Sequence, residues 1–351
     1  MAPPTCRPPW HPESLAARMP FLRRRASLTR AVRGFFGARL YQEVETPYAV
    51  PAPGEDVHLR AFATSRTHPD GTPEKLWLHT SPEFAMKRLL VAGAGPIFQF
   101  ARVWRDGEGG ALHAPEFTML EWYRPGGGPA GQAVGHTVGH MDALIAETTD
   151  LLRSTLPPVV RCRGITTDLS KFDRLTVAEA FREYADVDLL AIGEDAAALA
   201  AAASATLRQG ETWEDLFFRL LLERIEPALG RQHPTFLTHW PAAQAALARR
   251  DPADPRVAER FELFVCGIEL ANAFVELTDP VEQRARFEAD RARRHAMYGP
   301  DWPLDEDFLT ALEHGMPPGA GIALGFDRMA MIASGADRIS QVLWLPTADL
   351  I

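Results

Sequence analysis

Residues 105–124 read RDGEGGALHAPEFTMLEWYR, and no other stretch of the chain carries as much chemistry in so few positions. The first half is polar and glycine-rich; the second half alternates. A strand period of two puts Phe117, Met119, Glu121 and Tyr123 on one face and Glu116, Thr118, Leu120 and Trp122 on the other. The first face combines an aromatic ring, a carboxylate and a phenol, which suits a pocket that stacks a flat ring and then holds a cation. The preceding loop offers Arg105, Glu108 and His113, groups able to grip a triphosphate. A sheet with one amphipathic face and a plain hairpin tip would show the same alternation, so both readings stand at this point.

Outward from this segment, residues 97–104 form the preceding strand, and residues 82–91 form a helix opened by Ser81-Pro82-Glu83 and closed by Gly93 and Gly95. A hairpin is expected from 61–64 and 76–79 around the turn Pro69-Asp70-Gly71. Residues 13–39 carry Leu15, Met19, Leu22, Leu28, Val32 and Phe36 near helical spacing, and 41–46 a short strand ending at Pro47. Downstream, 130–226 reads as mostly helical with an Ala-rich piece at 195–205. Strands return at 235–238 and 260–265, a helix covers 281–298, and a Gly-spaced strand at 319–326 enters a helix running to 333. The order predicts an α+β fold, an antiparallel sheet flanked by helices. Residues 1–19 form a Pro-rich N-terminal segment, residues 20–351 one catalytic domain, with a helical insertion at about 130–232.

A second constellation lies in RFELFVCGIELANAFVEL: Glu262, Glu269, Asn272 and Glu276. Acids among Phe, Leu, Val and Ile are costly to bury unless they meet cations, and either a divalent metal or an ammonium would serve. Glu269, Asn272 and Glu276 share a face if the segment is helical; a strand would need a break after Gly267 to bring them together. A third segment, GAGIALGFDR at 319–328, sets glycines where backbone can approach a ligand and places Arg328 just inside the following helix.

The chain has 351 residues and a net charge of −9. That balance runs against a protein whose main task is gripping nucleic acid. The basic clusters at 23–25 and 291–295 sit in helical patterns and read as solvated helix faces. Cys6, Cys162 and Cys266 show no paired spacing, so no disulfide framework or zinc site is expected, which fits a cytoplasmic protein. No apolar run reaches the ~20 residues that span a bilayer, and no membrane partner is expected.

The three segments, in this order, resemble the motifs of class II aminoacyl-tRNA synthetases, specifically the lysine branch, from about residue 20 to residue 346. EVETP, ending at Pro47, is similar to the first motif, residues 105–124 to the second and 319–328 to the third. The resemblance implies ATP and Mg2+. Arg105 would hold the α-phosphate and Arg328 the γ-phosphate as the catalytic pair, with Phe117 stacking on adenine, His113 near the outer phosphates, and Glu108 replacing the carboxylate lost at Gly107. Glu262 and Glu269 would carry the metal. Ser81, Glu83, Glu121, Tyr123, Asn272, Glu276 and Ala323 would line the substrate pocket, Glu276 pairing with the distal ammonium. The first motif implies a homodimer.

The chain leaves no room before the first-motif helix for an anticodon-reading domain, so stable tRNA binding is not expected. In this it resembles the shortened relatives that attach (R)-β-lysine, or lysine, to a lysine side chain of elongation factor P. TSPEFAMKRLLVAG, PTFLTHWPAAQAALA, RVAERFELF and Ala323 in place of a motif glycine carry that likeness. A tRNA-charging enzyme, a synthetase-like enzyme with another acceptor, and a catalytically inactive paralogue are the alternatives.

Overall fold

The computed structural model describes residues 7–126, 140–299 and 302–346. The outer parts of the Pro-rich start and the beginning of the helical stretch expected from residue 130 lie outside the described residues. Helix α1 (Pro12–Ala38) opens on His11, whose ring Nδ1 accepts from the Glu13 amide at 3.3 Å. Two short strands follow, β1 (Gln42–Glu43) and β2 (Ala49–Val50), then the hairpin β3 (Ala63–Thr67) and β4 (Pro73–Leu78). Its turn is fixed by Asp70, which accepts from the Thr72 amide at 2.9 Å, and by Gly71 at φ 88°. Helix α2 (Glu83–Val91) leads into β5 (Ile97–Trp104) and β6 (Glu116–Pro125), the strand containing the alternating segment.

The region read as mostly helical is mixed. After α3 (His140–Thr155) come three four-residue strands: β7 (Val159–Cys162), β8 (Ile165–Asp168) and β9 (Asp173–Thr176). They are too short for period-two alternation to register against the helical pattern around them. Helices α4 (Val177–Ala185), α5 (Leu189–Ile192), α6 (Ala196–Ala202) and α7 (Trp213–Leu220) follow, the last running into a π-turn at Leu221–Ile225. Strands β10 (Thr235–Pro241), β11 (Val257–Val265) and β12 (Ile268–Val275) precede α8 (Pro280–Tyr298) and α9 (Glu306–Gly315), a helix absent from the sequence reading. Strand β13 (Gly319–Gly325) and α10 (Phe326–Ser334) complete the order.

Eight strands form one sheet in the order β1-β5-β6-β13-β12-β11-β10-β9. The six central strands pair antiparallel, as expected, but β1 joins β5 and β9 joins β10 in parallel. The sheet is therefore mixed at both edges. Its back face packs on α1, α3 and α10: Phe36 stacks on Phe98 at 4.6 Å and meets Trp122 at 5.3 Å, among Leu28, Leu144, Leu263 and Ile322. A second cluster gathers the insertion helices, where Phe181 stacks on Phe217 at 5.0 Å, onto Leu237, Trp240 and Phe264 of the sheet. Gly230 seals that junction: at φ 65° its Cα lies so close to the Phe264 carbonyl that a Cβ would sit 2.6 Å from the oxygen. A third cluster holds α2 to α8 and α9 through Phe84, Phe287 and Phe308.

The basic clusters are not simply solvated faces. Arg23 is exposed, but Arg25 is buried and pairs with Asp327 while donating to Thr118 Oγ1 at 2.9 Å. Arg294 in α8 is also buried, beside Glu55 at 3.3 Å and over the Trp302 ring at 4.2 Å. Each cation meets a carboxylate from an element distant in sequence, which local helical spacing cannot reveal.

Candidate active site

The front face of the sheet lines a cavity of about 370 Å3, the size of a small-ligand site. The parity argument for β6 holds: Phe117, Met119, Glu121 and Tyr123 face the cavity, while Leu120 and Trp122 enter the back core. Antiparallel pairing then sets β13 and β12 beside it. Glu121 lies opposite Ala323, and Ala323 opposite Asn272; Tyr123 lies opposite Gly321, and Gly321 opposite Phe274.

Segment 268–276 settles as a strand with the break that the sequence required. Leu263 pairs with Ala271 and Phe264 with Glu269, leaving Leu270 as the extra residue of a bulge. Side chains alternate along a strand, so Glu269 and Asn272 would otherwise face opposite ways; the added residue turns both to the cavity. Glu276, just past the strand, follows Asn272 and Phe274 on the same face.

One end of the cavity is cationic. Arg328, aimed from the first turn of α10, donates through Nη1 to the Glu269 carbonyl at 2.7 Å, and its Nη2 lies 2.7 Å from His113 Nε2. Burial and the Arg328 charge hold the His113 imidazole below its ordinary range, so its Nε2 is suited to accept from the guanidinium. Arg105 lies over Phe117 at 5.2 Å and within 3.7 Å of Glu108, and its buried Nε has no hydrogen-bond partner. The second-motif loop thus brings Arg105, Glu108 and His113 together around the ring expected to carry adenine. The direction of Arg328 is fixed from behind, because its neighbour Asp327 accepts from the Thr118 amide at 2.8 Å and pairs with Arg25.

The other end is acidic. Glu121 accepts from Ser81 Oγ at 2.5 Å and from the Tyr123 hydroxyl at 3.1 Å. Burial, with the Glu83 charge nearby, pushes its carboxyl up to about 8. Glu276 is 2% exposed; burial raises it to about 7, and Lys87 opposes that rise. Its Oε1 has no hydrogen-bond partner. Ser81 differs slightly from expectation: Pro82, not Ser81, occupies the cap position of α2, and the Ser81 hydroxyl accepts from the Glu83 amide at 3.0 Å.

All the site residues read from the sequence line this cavity except Glu262. Glu262 pairs with Asn272 in register and lies 2.6 Å from Arg260, and burial together with the Glu269 charge pushes its carboxyl up to about 8. A buried acid beside a half-exposed one whose charge repels it is a donor pair that a shared Mg2+ would suit. No cluster of three or more such side chains capable of holding a metal occurs among the described residues, and none is needed where phosphates complete the shell. Glu226 adds a third charge to this corner, its carboxyl raised to about 7 by burial and by Glu269.

Three residues escaped the sequence reading. Lys87 lies 2.6 Å from both Glu83 and Glu276. Arg260 donates to Asn272 Oδ1 at 3.2 Å and to the Gln244 carbonyl at 2.7 Å, under the Trp240 ring. Asp327 is the third. Lys87 alone had a local signal, standing four residues after Glu83 on one helix face.

Comparison with known proteins agrees with this geometry. The family model described as tRNA synthetases class II (D, K and N) matches residues 16–349. A protein of Proteus mirabilis (strain HI4320) named elongation factor P--(R)-beta-lysine ligase is 41% identical over 341 residues, covering 96% of this chain and 97% of that protein. One of the same name from Edwardsiella ictaluri (strain 93-146) is 42% identical over 341 residues, covering 95% and 96%. With the second and third motifs meeting around one cavity and the family model spanning nearly the whole sequence, this chain belongs to the class II tRNA synthetase family of the aspartate, lysine and asparagine branch.

Proposed function

We propose that the protein is a ligase that activates (R)-β-lysine with ATP and transfers it to a lysine side chain of elongation factor P. The observation that carries this reading is the polarity of the cavity: arginines at one end, three carboxylates at the other, and an aromatic ring beside the arginines. A triphosphate and a doubly cationic amino acid would meet between them. The named relatives support the acceptor and the substrate, since the chain spans nearly their whole length.

In the first step the substrate carboxylate attacks the α-phosphorus, and pyrophosphate leaves. Arg105 would neutralise the α-phosphate and Arg328 the γ-phosphate, with His113 and Glu108 shaping the loop, so the protein's contribution is positioning and charge stabilisation. Mg2+ held by Glu269 and Glu262 would offset phosphate charge. In the second step a neutral acceptor amine attacks the carbonyl of the adenylate, releasing AMP and one proton. Glu83, Glu121, Tyr123, Asn272 and Glu276 would hold the substrate's amino groups. Ala323, between Glu121 and Asn272 in the sheet, lines the cavity, and its methyl in place of a glycine hydrogen would reshape the floor for a substrate whose amino group sits on the β-carbon. The homodimer implied by the first motif belongs to the same proposal, and light scattering of the purified protein reads it.

The test is mass spectrometry of elongation factor P after incubation with this protein, ATP, Mg2+ and either lysine isomer. A gain of one lysyl residue, greater with (R)-β-lysine, is expected. Pyrophosphate exchange without any gain, together with charging of tRNA, would assign the acceptor to tRNA instead.

A further inference from the structure

The acidic end of the cavity contains a cation of its own. Lys87 rises from α2 one turn after Glu83, its side chain 1% exposed, and its Nζ lies 2.6 Å from Glu83 Oε1 and 2.6 Å from Glu276 Oε2. It does not line the cavity; it stands behind the two carboxylates that do. One Glu276 oxygen is thereby engaged, while Oε1 has no hydrogen-bond partner.

We propose that Lys87 is a positioning residue for substrate recognition: by bridging Glu83 and Glu276 it fixes the direction and the charge of the two acids that receive the substrate's amino groups. The proposal rests on the lysine-pocket reading above and extends it. Glu83, Glu121 and Glu276 with Lys87 leave a net charge of two negatives once a bound cation draws all four into the ionised form. That includes Glu121, which burial raises to about 8 in the free protein. A lysine isomer brings two ammonium groups, so the count matches. A singly cationic amino acid would leave one buried negative charge uncompensated.

Lys87 is surrounded by acids. Glu83 faces it from its own helix and Glu276 from the end of β12, and the charge of Glu121 on β6 also acts on it. The α2 residue Phe84 packs on Phe287 of α8 and Phe308 of α9. The next cation along α2, Arg88, turns away to Asp305 and Asp307. No other positive side chain is paired with Glu276 among the described residues. Without Lys87, the buried Glu121 and Glu276 would remain with the part-buried Glu83 close enough for its charge to act on both, and the cheapest relief is to take up a proton. Glu276 would lose its paired cation while burial already raises its carboxyl, so it would join Glu121, which burial raises further, as an acid that is neutralised. The substrate ammonium would then lose its counter-charge at neutral pH and regain it only at higher pH.

The experiment is the pH dependence of lysine KM, measured by pyrophosphate exchange in the wild type and in Lys87→Met. A wild type that exchanges with lysine establishes the pocket first; absence of exchange there refutes the underlying reading rather than the role of Lys87. In Lys87→Met the acid limb of the lysine profile should move to higher pH by about one unit, which from a value of about 7 is about fivefold in KM at pH 7 and approaches about tenfold at lower pH, with ATP KM unchanged. A limb left in place, or a KM raised by one constant factor at every pH, would overturn the proposal in favour of a purely structural pair. If Lys87→Met does not fold, Lys87→Arg keeps the charge: its limb should coincide with that of the wild type, and a displaced limb would overturn the proposal.

Discussion

At the scale of the residue, Glu276 is the most consequential single carboxylate. Its free oxygen and burial suit it to the counter-charge role proposed for the distal ammonium. Its folded-state carboxyl is raised, to about 7, so the ionised, ligand-ready form is present above that value and is lost as pH falls through it. We expect kcat/KM for lysine to drop roughly tenfold per pH unit below about 7, because that parameter reports groups of the free enzyme. Glu276→Gln should abolish this limb and raise lysine KM strongly while sparing ATP KM; an unchanged lysine profile in that variant would remove Glu276 from the site. The acids here were legible in the sequence because carboxylates among apolar neighbours are rare enough to notice. Lys87 and Arg260 were not, since a cation next to its own partner looks like any surface pair until burial is known.

At the scale of the element, the site depends on how closely strands approach. Gly321 on β13 lies between Tyr123 and Glu276; a Cβ there would overlap the Tyr123 ring and come within 2.6 Å of Glu276 Oε1. Gly321→Ala should therefore displace one of the two by a fraction of an ångström to an ångström. Misplacement on that scale costs up to roughly 100-fold in kcat/KM, and steady-state kinetics with each substrate varied in turn would locate the loss on the lysine side. The bulge at Leu270 is the other device of this kind. The sequence required a break somewhere after Gly267 but gave no way to place it, because a bulge is decided by the partner strand. For the same reason the parallel edge pairings of β1 and β9 were not foreseen: each involves four residues or fewer, and their partners are 55 and 62 positions away.

At the scale of the whole molecule, the cavity face is held in place from the opposite face. Arg25 of α1, Asp327 of α10 and Thr118 of β6 form one buried network. Removing one partner of a buried pair costs about 3–5 kcal/mol, so Arg25→Met should lower the urea midpoint markedly. It should also impair ATP use, because Asp327 orients the turn that bears Arg328. A variant as stable as the wild type would show the pair to be dispensable. The helices behind the sheet were readable from their spacing, but their junctions were not, since ion pairs between elements 302 residues apart leave no local trace. The alternation in β6 has a longer reach. Its odd positions face the cavity and its even positions meet the core, so on the proposed reading substrate preference and stability are written in two interleaved alphabets on one strand. Selection can revise odd-numbered positions for a new amino acid while even-numbered ones keep the protein folded, and a family spread over several amino acids is what such a strand permits.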